Sequence, residues 1–227
     1  MTYQFDFSSV LAYWPLFLDG AWTTIQMSFW ATLAGFIIGV LCAVARTGGP
    51  RRLRQIVTVY VEVIRNTPLL IQSYFLIFGM ASVGIRMPIM AGAVLALVIN
   101  IGAYTCEIVR AGIESVHKGQ REAGACLGLS PGQVYWYVIL RPAIERVYPA
   151  LASQYVLLML VTSILSAVGA NELFGASNQV QANTFRNFEV FIVLWVAYLA
   201  LTALVRGAFW AVGQCVFVRR RKLGTPL

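Results

Sequence analysis

The chain has 227 residues, 59% of them hydrophobic and only 11% charged, with mean hydropathy +0.74 and a formal net charge of +8. A soluble domain carries about 25% charged residues, so this composition cannot cover a water-facing surface. Disorder is excluded for the same reason. The chain reads as an all-α integral membrane protein with one domain over 1–227. Its basic residues flank apolar runs, as the positive-inside bias requires, and form no nucleic-acid patch interleaved with aromatics.

The opening segment MTYQFDFSSVLAYWPLFLDG has no basic n-region and carries Asp6 and Asp19, so it does not read as a signal peptide. Runs free of Asp, Glu, Lys and Arg then place five spans, at about 20–45, 56–80, 87–110, 147–170 and 189–216. The first contains Gly35-Phe-Ile-Ile-Gly39, a spacing that lets helices pack closely. Pro68 falls inside the second, where it should kink or break the helix. Thirteen Lys and Arg collect on one side of this arrangement and only Arg86 and Arg186 on the other. That bias puts the N-terminus outside and the C-terminus, with Arg219, Arg220, Arg221 and Lys222, in the cytosol.

The long cytosolic segment, about 114–142, is the most informative part. A short helix over Gln120–Leu127 is expected to stop at Gly128, and Ser130-Pro131-Gly132-Gln133 has the residues of a capping box that starts a second short helix. The first helix carries Ala123, Gly124, Ala125 and Cys126 in a row, too little bulk for a core of its own but suited to lying against another protein. Glu62/Arg65 and Glu107/Arg110 are i,i+3 pairs, and Glu114 extends the second along one face. They read as structural pairs at helix ends, with a functional role as the alternative. Gln72, Asn100, Gln154, Thr162 and Ser163 either line a solute path or join helices by hydrogen bonds.

Catalytic chemistry finds little to build on. His117 is the only histidine and reads as a surface or helix-capping residue, and Cys42, Cys106, Cys126 and Cys215 show no metal spacing. Neither lysine, Lys118 nor Lys222, follows a glycine, so a Walker A phosphate loop is impossible here. The chain is not read as an enzyme, and no cofactor or metal is expected in it.

Glu122-Ala123-Gly124, three residues, Gly128, nine residues and Val138-Ile139-Leu140 resemble the EAA loop of ABC importer permeases. Gly124 replaces that loop's second Ala, Val138 its Ile, and Arg141 its Pro. Tyr60-Val-Glu-Val-Ile-Arg65-Asn-Thr67-Pro68-Leu-Leu and Ala103-Tyr104-Thr-Cys-Glu107-Ile-Val-Arg110-Ala-Gly-Ile resemble segments of the polar amino-acid permeases, as do Thr162-Ser163 and Glu172-Leu173. The resemblance covers about 18–206.

It implies an inner-membrane importer subunit for histidine, glutamine, glutamate, arginine or opine-like solutes. The implied partners are two ATPase subunits that use ATP and magnesium, a homologous permease, a periplasmic solute-binding protein and membrane lipids. Glu122, Ala123, Gly124, Gly128 and Leu129 would couple to the ATPase. Arg65, Thr67, Pro68, Glu107 and Arg110 are candidates for structural or gating roles, and Gln72, Asn100, Thr162, Ser163 and Glu172 for the solute path. Where the family usually places Lys-Asp before Thr-Ser, this chain has Leu160-Val161, which argues for a heterodimer whose second permease supplies the charges. A secondary carrier or multi-pass membrane enzyme is the alternative reading.

Overall fold

The computed structural model describes residues 3–217, and every regular element among them is helical. The basic tail from Arg219 to Lys222 lies outside the described residues. Asp6 caps the short helix α1, Phe7–Leu11, by accepting from the Ser8 amide. The helix α2 then runs over Trp14–Gly48, 35 residues and so about 52 Å, well beyond the expected 20–45. Pro15 does not prevent the earlier start, because the first turn of a helix has no use for its missing N–H.

Pro68 breaks the expected second span. The amphipathic helix α3, Arg51–Arg65, ends before it, and α4, Leu69–Ser82, starts after it with Pro68 in extended conformation at φ −64° and ψ 138°. Within α4, Phe75–Gly79 widens to a π-helical turn. The remaining elements are α5 (Ile89–Glu114), α6 (Lys118–Cys126), α7 (Pro131–Val168), α8 (Leu173–Thr184) and α9 (Asn187–Val216). Four of these helices, α2, α5, α7 and α9, are long and apolar enough to cross a membrane; the two pieces around Pro68 are each too short alone.

One sequence-based expectation needs correcting. The capping box at Ser130 does not start a second short helix but the 38-residue α7, continuous with the expected span 147–170. Pro142 does not interrupt it. The π-helical turn Val134–Leu140 just before this proline loosens the carbonyl ladder with which its ring would clash in a regular α-helix. Helix α8 was not expected at all.

Residues 3–33, 67–98 and 155–207 form one compact unit, and 34–66, 99–154 and 208–217 a second. The first is built on Val10, Phe17, Met159, Leu173, Val190 and Leu194. Its N-terminal end is fastened by Glu189, which is fully buried and accepts from the Tyr3 hydroxyl at 2.5 Å and the Asp6 amide at 2.9 Å. In the second unit α2 meets α5 closely: a Cβ on Gly39 would lie 2.5 Å from Thr105 Cβ and 2.9 Å from the Gly102 carbonyl oxygen. Gly39 therefore acts as the packing residue its spacing suggested. Tyr60 donates to the Ile99 carbonyl at 2.6 Å, tying α3 to α5. Trp22, Trp30, Leu41, Trp195 and Leu199 are all exposed, which suits hydrocarbon and not water.

Candidate functional site

The loop after α5 builds a short helix with a sharp exit. His117 caps α6, its Nδ1 accepting from the Gly119 amide at 3.1 Å, so the histidine serves the capping role expected of it. At the far end the Gly128 amide donates to Ala125 O at 3.0 Å and the Leu129 amide to Gly124 O at 3.2 Å. These two bonds make a Schellman motif with Gly128 in the left-handed region at φ +77°. Ser130 and Gln133 then exchange reciprocal capping bonds, at 2.8 and 3.4 Å, to open α7.

Gly124 is buried, with Val134 and Val138 of α7 beside it. Glu122, Ala123, Ala125 and Cys126 are exposed, and Leu127 is 82% exposed. Leu129 is half-buried behind the turn. An apolar side chain so bare at the tip of a small helix was not singled out from sequence. Its position immediately before the helix-ending glycine is the signal that could have found it.

A second constellation gathers around Glu107. Its Oε2 receives Arg46 at 2.5 Å and lies 3.8 Å from Arg65, and its Oε1 accepts from both Nε and Nη2 of Arg110. Arg110 also reaches Glu114 at 2.6 Å, and the Arg65 guanidinium lies 5.4 Å from the centre of the Tyr104 ring. The Glu107/Arg110 pair and its Glu114 extension therefore form as the helical spacing indicated. The Glu62/Arg65 pair does not form. Arg65 turns to Glu107, while the Glu62 carboxylate accepts from Asn66. Glu107 is the less exposed of the two carboxylates, its side chain 22% accessible, so an ion pair there is screened less than one with the exposed Glu62.

The polar residues of the first unit are mostly occupied locally. Gln72 donates to Thr67 Oγ1 at 2.8 Å across the Pro68 break, Pro68 itself being exposed. Thr162 is buried and donates to the Met159 carbonyl at 2.7 Å; Ser163, half-buried, donates to Leu160 O at 2.8 Å. These bonds sit where α7 tightens to a 3-10 helix over Thr162–Val168. Asn100 is half-buried in α5, in the second unit. Leu160 and Ser163, with Phe174, Phe191, Trp195 and Tyr198, line a mostly apolar cavity of about 350 Å³.

Glu172 is fully buried and caps α8. Its oxygens accept from the Phe174 amide at 3.0 Å, the Gly175 amide at 2.8 Å and the Tyr198 hydroxyl at 3.0 Å. Burial raises its carboxyl above the ordinary value of 4.5, against the three hydrogen bonds, which favour the charged form. Among the described residues no cluster of His, Cys, Asp or Glu side chains is set to hold a metal ion. The four cysteines are free thiols, with Cys106 buried and Cys126 exposed.

Comparison with known proteins places this architecture. Residues 35–214 match the model of the family described as binding-protein-dependent transport system inner membrane component. The glutamine transport system permease protein GlnP of Escherichia coli (strain K12) is 37% identical over 204 residues, covering 89% of this chain and 93% of that protein. The nopaline transport system permease protein NocM of Agrobacterium fabrum is 33% identical over 211 residues, covering 88% and 87%. Among solved structures, an amino acid ABC transporter crystallised with histidines superposes with a TM-score of 0.86 at 31% identity, covering 94% of this chain and all of that one. The inward-facing MetNI methionine ABC transporter, at 24% identity and TM-score 0.73, shares the fold. The chain belongs to the binding-protein-dependent transport-system inner-membrane components and is a permease subunit of the polar amino-acid group of ABC importers.

Proposed function

We propose that this permease passes a polar amino acid or opine-like solute inward, driven by ATP hydrolysis in two partner ATPase subunits that press on α6. Glu122, Ala123, Gly124, Gly128 and Leu129 form the coupling element. Gly124 seats it on α7, and Gly128 sets its exit angle. The observation that carries this reading is the exposed face of α6 ending in Leu127, 82% bare on a helix whose buried face is already used. Closure of the ATPases moves the spans only if their contacts with α6 differ between the two states.

In this reading the pieces around Pro68 together make the fifth span, the N-terminus faces the periplasm, and a solute-binding protein docks on that side. Arg65, Thr67, Pro68, Glu107 and Arg110 hold the cytosolic ends of the spans. Gln72, Asn100, Thr162, Ser163 and Glu172 remain solute-path candidates, and of these Ser163 lines a cavity. A heterodimer with a second permease is favoured because Leu160 makes the wall of that cavity apolar where related chains carry a charge pair. An unpaired charge at membrane depth is costly, so the solute's partners must come from elsewhere.

The test is Gly128→Val and Glu122→Lys in the assembled transporter. A Cβ on Gly128 meets nothing within 4 Å, so valine costs backbone strain at positive φ, about 1–2 kcal/mol, without a clash. Insertion should persist while ATPase association and transport fall; Gly128→Asn, which tolerates this conformation, should restore both. Full transport and full ATPase stimulation in both variants would refute the coupling role. Intact-mass analysis of the complex purified from its native operon reads the dimer type, and two copies of this chain alone would refute the heterodimer.

A further inference from the structure

The second unit holds an unusually cationic cavity of about 580 Å³. Four arginines line it, Arg46, Arg54, Arg110 and Arg121, against one lining carboxylate, Glu114. Glu107 behind it is already shared among Arg46, Arg65 and Arg110. Counting both acids, the wall keeps two uncompensated positive charges. Among the described residues Arg54 and Arg121 have no carboxylate partner at all. Arg121 donates one Nη to the Ile113 carbonyl at 3.1 Å, and its Nε is the one buried side-chain nitrogen or oxygen there without a hydrogen-bond partner.

We infer that this cavity binds a phosphate group, carried either by an anionic phospholipid headgroup or by free phosphate. Several guanidiniums around one void suit a phosphate, whose oxygens accept bidentate forks from more than one arginine at once. The hydroxyls of Thr58 and Tyr135 at the same wall supply further polar contacts. Arg54 and Thr58 share the face of α3 that lines the cavity, while the exposed apolar Leu53, Ile56, Val59 and Val63 lie on the opposite face, so the cavity's chemistry alone does not choose between the two sources. The inference does not depend on which solute is carried or on α6 as a coupling element.

The full chain, purified in non-ionic detergent with its partner ATPase, is titrated with phosphatidylglycerol, phosphatidylcholine or inorganic phosphate and followed by native mass spectrometry and thermal shift. Phosphatidylglycerol retained in preference to phosphatidylcholine assigns the headgroup; stabilisation by inorganic phosphate with no lipid preference assigns free phosphate. Either result supports the site if Arg54→Gln and Arg121→Gln each weaken binding about tenfold, the loss expected for one charged hydrogen bond. Arg51→Gln and Arg52→Gln, on the same helix but outside the cavity, should change it less than about twofold, since screened surface charge contributes little. Arg54 is exposed and apart from the Glu107 cluster, so its variant tests the site without disturbing that network. Binding of neither ligand, or equal losses in the Arg51 and Arg52 variants, overturns the inference and leaves the cavity to an acidic side chain of a partner protein.

Discussion

Glu107 in the second unit and Glu172 in the first are both carboxylates drawn back from water, held by opposite means. Glu107, with its side chain 22% exposed, is surrounded by Arg46, Arg65 and Arg110. Glu172, fully buried, has no cation beside it among the described residues and is held by two backbone amides and the Tyr198 hydroxyl. The first arrangement ties α2, α3 and α5 together through charge. The second fastens a helix start and one tyrosine of α9 through hydrogen bonds to neutral donors. Charge pairing needs many partners but tolerates some water; neutral donors suffice where the chain can direct them from its own backbone.

The contrast is broken most severely at Glu107. Glu107→Ala leaves three guanidiniums without their shared anion and should lower unfolding stability in detergent by about 2–3 kcal/mol, the range for a lost charged hydrogen-bond set that is not fully buried. Glu172→Ala removes a side-chain cap and strands the Tyr198 hydroxyl, with an expected loss of about 2 kcal/mol on the same unfolding assay. If the second loss exceeded the first, the charged cluster would be a surface network and not the stronger fastening.

Tyr198→Phe isolates one neutral donor, and about 1 kcal/mol should disappear in the same measurement. The smallest effect concerns pH. Because burial raises the folded-state pKa of Glu172 above 4.5, its protonated form is favoured by folding. That contribution is fully present below 4.5 and is lost as pH rises through the folded value. Glu172→Gln should therefore flatten this part of the stability–pH profile in thermal unfolding scans, while leaving the profile above it parallel to the parent. An unchanged slope would mean that the carboxylate is charged in the folded protein throughout.

Much of the helical content was legible because membrane spans declare themselves by runs of about 20 apolar residues. The break at Pro68, the turn at Gly128 and the capping box at Ser130 were legible for a different reason: each depends on the covalent character of one or two residues and their immediate neighbours. The missing helix α8 had a weaker mark. Its composition, LFGASNQVQANT, mixes small, polar and apolar residues without a clear period, and a glutamate in the capping position is a poor start signal. The run of α7 through Pro142 has no mark of this kind: proline normally ends helices, and the π-helical turn that spares this one is a cooperative property of several residues.

By itself the sequence determined what hydropathy, proline, glycine and capping residues decide locally: a helical membrane protein with a capped loop after α5 and candidate pairs three and four residues apart. It also carried the motifs by which the family is known. Only the tertiary structure decided that Arg46 and Arg65 converge on Glu107, that Arg65 abandons Glu62, and that Tyr198 reaches Glu172. The cavity that gathers Arg54 and Arg121 was settled at the same level. These partners are far apart along the chain, and a long flexible arginine has many carboxylates within reach on paper. Which one it meets is set by how whole helices pack, and no local spacing encodes that.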